Sequence, residues 1–173
     1  MATALIGSAS AQSQAYPSKP LRMIVPYTPG GSIDTVGRLV ADEMQKILGQ
    51  SIIVDNKPGA SGMIGSNEAA RAPADGYTLL FNASSQVYMP LVVAKKTYDA
   101  EKDFTPIAQV GYVPLAVVLG PNVSARNLAE FAAMARAKPK TYTWATSGLG
   151  TTSHLTEETI NRELKLDMEI ILY

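Results

Sequence analysis

Two short stretches join glycine to hydroxyl, acidic or imidazole side chains: Pro29-Gly30-Gly31-Ser32-Ile33-Asp34 and Ser147-Gly148-Leu149-Gly150-Thr151-Thr152-Ser153-His154. Each follows an apolar, strand-like run and opens a helical pattern. At such a junction the unpaired N–H groups of the helix start aim at one point, and the helix dipole adds roughly half a positive charge. The chemistry this suits is the holding of an anion, and two such ends suggest a small anionic ligand held from two sides. Glycine supplies positive φ and a close backbone approach. Ser32 stands where it can cap its helix, and Asp34 lies in the first turn, where the dipole favours a carboxylate. Asp34 would repel an anionic ligand unless water or a donor intervenes. An ordinary strand-to-helix turn is the plain alternative for the same residues.

Other chemistries fit less well. Gly148-x-Gly150-x-x-Ser153 lacks the third glycine of a dinucleotide fingerprint, and no acidic residue follows at the end of a next strand to hold a ribose. The phosphate-binding pattern Gly-x-x-x-x-Gly-Lys-Ser/Thr does not occur. Ser147 and His154 could be a nucleophile and its base, yet no Gly-x-Ser-x-Gly elbow surrounds the serine. A lone histidine in a first helical turn more often lines or caps. With no cysteine and one histidine, thiol chemistry, disulfides and a multi-histidine metal site are excluded. No catalytic residue, cofactor or metal is therefore expected. Glu157, Glu158 and Glu163 read as a solvated helix face. Arg22, Arg38 and Arg71 are candidates for anion pairing, with Arg38 and Arg71 at surface positions and Arg22 inside a strand. Tyr27, just before the first glycine loop, is either a pocket wall or a core aromatic.

The elements that must position these residues alternate. Leu21–Pro26 reads as a strand; Ile33, Val36, Leu39, Val40, Met44, Ile47 and Leu48 fall at helical spacing, closed by Gly49 as a left-handed cap. Ser51–Asp55 is a second strand, Gly62–Arg71 an Ala-rich helix and Tyr77–Phe81 a third strand, followed by the polar loop Asn82-Ala83-Ser84-Ser85. Strands alternating with helices predict right-handed crossovers and a parallel, doubly wound sheet, whose ligands sit beyond the carboxyl ends of its strands. That edge receives the loops after the first and third strands. Lys95–Phe104 reads as a connector. Beyond it, Pro106–Gly111 and Leu115–Leu119 are expected strands, Asn127–Ala137 a helix, Tyr142–Ala145 a strand, Thr151–Leu164 a helix and Met168–Tyr173 a strand.

Composition sets the outer bounds. The 173 residues are 46% hydrophobic and 17% charged, which is globular, and fifteen basic side chains balance fifteen acidic ones. Such balance gives no support to nucleic acid or an anionic membrane as partner. An anion must then be held by local dipoles and a few side chains. No apolar run reaches the ~18 residues that a spanning helix needs. Residues 1–15 are small and uncharged, and Ala9-Ser10-Ala11 fits the cleavage pattern of an export signal. They are read as the end of such a signal, with a disordered Ala/Ser leader as the alternative.

Several segments, taken in order, carry a resemblance. They are Tyr16–Pro20, Val25–Asp34, Val54–Gly62, Ala74–Leu80, Tyr98–Phe104 and Ser147–Thr151. Together they closely resemble the Bug-type substrate-binding proteins of tripartite tricarboxylate transporters. The resemblance implies an α/β, two-lobed fold of the periplasmic-binding-protein type II kind, with doubly wound sheets. It further implies a periplasmic protein that closes on a small carboxylate and delivers it to the membrane permease subunits of a transporter. The ligand would be clamped by Tyr27, Gly30, Gly31, Ser32 and Asp34 from the first lobe, with Asn82, Ser84 and Ser85 lining the next loop. Ser147, Gly150, Thr151 and His154 would face them from the second. The first lobe is expected over residues 16–103 and the second over 104–173. Members of that family are longer, so the second lobe is expected to be incomplete and to expose apolar sheet surface. A Rossmann-like nucleotide-binding enzyme or a Ser/His hydrolase is the rival reading.

Overall fold

In the computed structural model, which describes residues 15–146 and 148–173, Leu21–Val25 forms β1 at the centre of a parallel sheet. Four of its five residues are buried, the near-continuous apolar run that a strand covered on both faces requires. β2 (Ile52–Asn56) and β3 (Thr78–Leu80) flank it in the order β2-β1-β3, with Met23 paired to Val54 on one side and to Leu79 on the other. A chain that steps to one side of β1 and then back across it carries its right-handed crossovers on opposite faces, so β1 and β3 border a switch point.

The first crossover is α1 (Ser32–Leu48), closed by Gly49, whose N–H donates to the Gln45 carbonyl at 3.0 Å. Its buried Ala41, with Ile33, Val40, Met44 and Leu48, packs on Leu21, Met23, Val25 and Ile52. The second is a 3₁₀ turn at Ala60–Gly62 leading into α2 (Met63–Ala70). An unexpected helix, α3 (Ser85–Val92), follows β3 directly. Met89 of α3, Met63 and Tyr98 form a satellite core that Phe104 joins edge-on to Tyr98.

The predicted strands at Pro106–Gly111 and Leu115–Leu119 do not form. Residues 104–120 have no regular structure, and Ile107, Tyr112 and Val118 are each more than 80% exposed. β-branched residues favour an extended chain, but a strand exists only beside a partner, and no described strand lies alongside.

The second core begins at α4 (Leu128–Ala137). Asn127 caps it by accepting from the Glu130 N–H at 2.9 Å, and Glu130 reaches back to the Arg126 N–H at 2.8 Å. Phe131, Ala132 and Ala135 pack on Trp144, Leu166 and Met168. Trp144 lies on β4 (Thr143–Thr146), which pairs in parallel with β5 (Glu169–Leu172) across the helix α5 (Thr152–Glu163). Asn161 of α5 accepts from the Trp144 indole at 2.8 Å and donates to the Met168 carbonyl at 2.9 Å, tying the helix to β4 and to the residue that leads into β5.

Candidate functional site

The first loop is built around Asp34. Gly31, not Ser32, is the N-cap of α1 and makes no side-chain cap bond; Ser32 is the first helical residue and is exposed. Asp34 supplies what a cap would have supplied. Its carboxylate is only 2% exposed and accepts from the Gly30 N–H at 2.8 Å, Arg38 at 3.1 Å and Asn56 Nδ2 at 2.8 Å. Arg38 first, then Gly30 and Asn56, hold its pKa down to about 2. Asn56 also donates to the Tyr27 carbonyl at 3.0 Å, so both ends of the loop are fastened. Gly30 sits at φ +82°, and its N–H is turned inward to the carboxylate. The donors left over are those of Ser32, Ile33 and Asp34, which precede the first intrahelical bond, from the Thr35 N–H to the Gly31 carbonyl at 2.9 Å.

The loop after β3 joins the first through Tyr27. The Tyr27 hydroxyl donates to Asn82 Oδ1 at 2.9 Å and lies 2.5 Å from Ser85 Oγ. Burial pushes the Tyr27 phenol up, against the opposing bond to Ser85. Asn82 in turn donates to Ser66 and Gln86, both at 2.9 Å. Asn82, Ser85 and Tyr27 thus form one satisfied polar network, and Ser84 is left exposed beside it.

The second glycine loop repeats the device of the first. The Gly150 N–H donates to His154 Nδ1 at 3.4 Å, four residues on, as Gly30 does to Asp34. An accepting Nδ1 carries no proton. Thr151 is the N-cap of α5 and accepts from the His154 N–H at 3.3 Å; its hydroxyl lies 3.0 Å from Ser153 Oγ, which is 2.8 Å from Thr146 Oγ1. Ser147 lies outside the described residues, as do residues 1–14 of the expected leader.

The loops of the two sheets meet at α3. Ser84 Oγ is 3.3 Å from Thr152 Oγ1, Tyr88 also bonds Thr152, and Ser61 donates to the Leu149 carbonyl at 3.0 Å. Gly150, at φ +68°, is buried against Met89 and Val92; a Cβ there would stand 2.6 Å from the Met89 sulfur. An open cavity of about 260 Å³ lies between α3 and α5, lined by Tyr88, Thr152, Leu155, Thr156, Thr159 and Ile160. A larger hollow over Leu39, Asp42 and Lys46 is on the outer surface of α1, among exposed side chains away from the glycine loops. Among the described residues no hydrogen bond runs directly from Pro29–Ser32 to Gly148–His154. The two loops are linked through Tyr27, Ser85 and α3.

Of the three candidate arginines, Arg71 is exposed at the end of α2, and Arg22 and Arg38 are already paired. Arg22 is bonded to Asp55 and Glu68, Arg38 to Asp34 and Asn56. Glu157 is a correction: expected on a solvated face, it is 8% exposed. Sequence reasoning missed α3 with Tyr88 and Met89, the residues that carry the contact between the sheets. The helical spacing was short, and Pro90 lies inside it.

Two parallel α/β units, each opening a helix from a glycine loop and joined through α3, set the fold as that of two-lobed periplasmic binding proteins. Solved structures agree. An R. palustris protein solved with adipate superposes with a TM-score of 0.81 at 30% identity, over 91% of this chain and 53% of that one. MatC from Rhodopseudomonas palustris, with bound malate, gives 0.75 at 31% identity, over 91% and 54%. Residues 36–173 match the tripartite tricarboxylate transporter family receptor, TctC, and the chain belongs to that family, which is a receptor family and not an enzyme family. It is 42% identical over 165 residues to a UPF0065 protein of Bordetella bronchiseptica, covering 95% of this chain and 49% of the relative. It is 38% identical over 156 residues to Protein BugT of Bordetella pertussis, covering 87% and 47%. The chain spans about half the length of the curated relatives it matches. Among the described residues, no helix is long and apolar enough to cross a membrane.

Proposed function

We propose that this chain carries the ligand-gripping part of a periplasmic solute-binding receptor, which captures a small carboxylate between its two sheets and presents it to the permease subunits of a transporter. The reading rests on one observation above all: two glycine loops, each fastened by a side chain four residues on, start helices on either side of α3. In this reading residues 16–103 form one lobe and 104–173 belong to the other. The N–H groups of the α1 start, with Gly30, Gly31 and Ser32, take one end of the ligand. Tyr27, Asn82, Ser84 and Ser85 line its side, while Ser147, Gly150, Thr151 and His154 close over it. Asp34 acts through the loop it fastens, its charge already neutralised by Arg38 and two N–H donors. The adipate and malate held by structurally similar proteins support a dicarboxylate of four to six carbons. No step of this cycle needs catalysis. The rival hydrolase reading loses its base, since His154 Nδ1 is engaged by the Gly150 N–H.

A thermal-shift series with malate, adipate and nucleotides tests the proposal. Dicarboxylates are expected to raise the unfolding temperature, by about 2.7 kcal/mol of stabilisation at a hundred times Kd. Stabilisation by nucleotides alone, or turnover of an ester, would overturn it.

A further inference from the structure

Glu157 is the polar group of the second core that no described interaction accounts for. Its side chain is 8% exposed, and its Oε2 is buried without a hydrogen-bond partner among the described residues. It stands on α5 one turn beyond Ser153 and three residues beyond His154, within reach of the Thr146 hydroxyl, which lies 2.8 Å from Ser153 Oγ; the neighbouring Thr151 hydroxyl is already given to the Gly148 carbonyl at 2.8 Å. An ionised carboxylate is an acceptor only; a protonated one also donates. The difference matters for the Thr146–Ser153 pair. An ionised Glu157 draws hydroxyl hydrogens inward, towards itself, and leaves lone pairs facing the ligand. A protonated Glu157 donates into the pair and lets a hydroxyl hydrogen turn outward, towards an anion.

We infer that Glu157 is a positioning residue that takes up a proton from solvent when the carboxylate ligand binds, so that the Thr146–Ser153 hydroxyl pair behind the second glycine loop turns its donor outward to the anion. This rests on the reading of Gly148–His154 as one wall of the carboxylate site. The surroundings agree. Burial pushes the Glu157 carboxyl up; His154 and the Thr146 hydroxyl oppose this with smaller effects. His154, on the same helix, is the one other titratable side chain that acts on it. From β4 the helix receives Thr146, and from α3 it receives Tyr88, bonded to Thr152. No arginine or lysine is among the groups acting on Glu157, so binding a second negative charge nearby raises its proton affinity further.

The experiment is malate binding by calorimetry between about pH 5 and about pH 8, on the chain and on its Glu157→Gln variant, with Trp144 emission confirming that the variant folds. Affinity of the parent chain is expected to weaken as pH rises, by up to tenfold per unit above the free carboxyl's pKa. The Gln variant, which mimics the protonated acid, should lose that slope and bind more tightly than the parent chain at the highest pH. Measurements on the parent chain alone, in two buffers of different ionisation enthalpy, should register net proton uptake. Equal slopes in the two chains would assign the pH dependence to His154 and overturn the inference, as would zero proton uptake. Absence of malate binding at every pH in both chains would instead overturn the carboxylate reading, and this inference with it.

Discussion

The two glycine loops use one device with opposite electrostatics. In the first, Gly30 donates to a carboxylate that is buried, charged and completely satisfied by Arg38 and Asn56. In the second, Gly150 donates to a neutral imidazole nitrogen, and the nearby carboxyl of Glu157 is buried and unsatisfied. The difference is that between a finished part and a poised one. The first loop is rigid before any ligand arrives, since its donors are aligned by bonds that the ligand does not share. In the second, Thr151 gives its hydroxyl hydrogen to the Gly148 carbonyl, but those of Thr146 and Ser153 can still choose a direction. That loop also sits on a thinner core, with two strands in its sheet against three in the first.

The comparison breaks most visibly at the cores. Phe131→Ala empties the centre of the second cluster and should cost about 3–5 kcal/mol. The only tryptophan, Trp144, packs edge-on to Phe131, so its emission reports that region. The Trp144 transition should move to lower denaturant while amide protection in β1 stays unchanged. An equal loss in both would show one core where two are described. Next in size is Gly150→Ala. A left-handed alanine costs roughly 1–2 kcal/mol, and crowding Met89 and Val92 adds about 1–3 more. Gly30→Ala has open space around it, so only the backbone cost is expected. Similar denaturation losses for the two would remove the close packing of α3 on the second loop as a contributor.

The pH dependence of stability should differ in sign between the loops. Asp34 has a native pKa of about 2 against ~3.9 in the unfolded chain. Its contribution is therefore present above pH ~4 and lost as pH falls towards about 2. Glu157 is raised in the native state, so its contribution is present below the unfolded value of ~4.3 and fades as pH rises through its native pKa. Acid titration of Asp34→Asn should flatten the low-pH arm, and Glu157→Gln the arm above it. The opposite assignment would refute the contrast. The smallest effect belongs to Tyr88→Phe. It removes one exposed hydroxyl pair with Thr152 and should cost below about 1.5 kcal/mol in urea unfolding. A larger loss would mean that the sheets are held together mainly by that pair.

Local features were legible in the sequence, and long-range ones were not. The α1 register and its Gly49 cap follow from spacing alone, because they depend on neighbours within one turn. Asp34 was visible as a first-turn carboxylate. Its role as a fastener depends on Asn56, twenty-two residues away, which no local pattern announces. Glu157 was misjudged for a similar reason: charged residues repeat along α5, and which one faces inward is decided by Thr146 and the loop above it. The apolar runs at 106–111 and 115–119 have strand composition, but composition cannot supply the neighbouring strand. The same holds for the site. Its glycines and hydroxyls could be found by type, whereas α3, which joins the loops, was obscured by Pro90.

The unpaired stretch from Ile107 to Val118 has a colloidal consequence. Basic and acidic side chains balance at fifteen each, so no long-range repulsion keeps two molecules apart near neutral pH. Exposed Ile107, Val110, Tyr112, Val113 and Val118 then offer a sticky, extended edge with free backbone donors and acceptors. Solubility should therefore depend on concentration and on added charge more steeply than on temperature, and a few lysines along this edge would improve it more than any repair of the core.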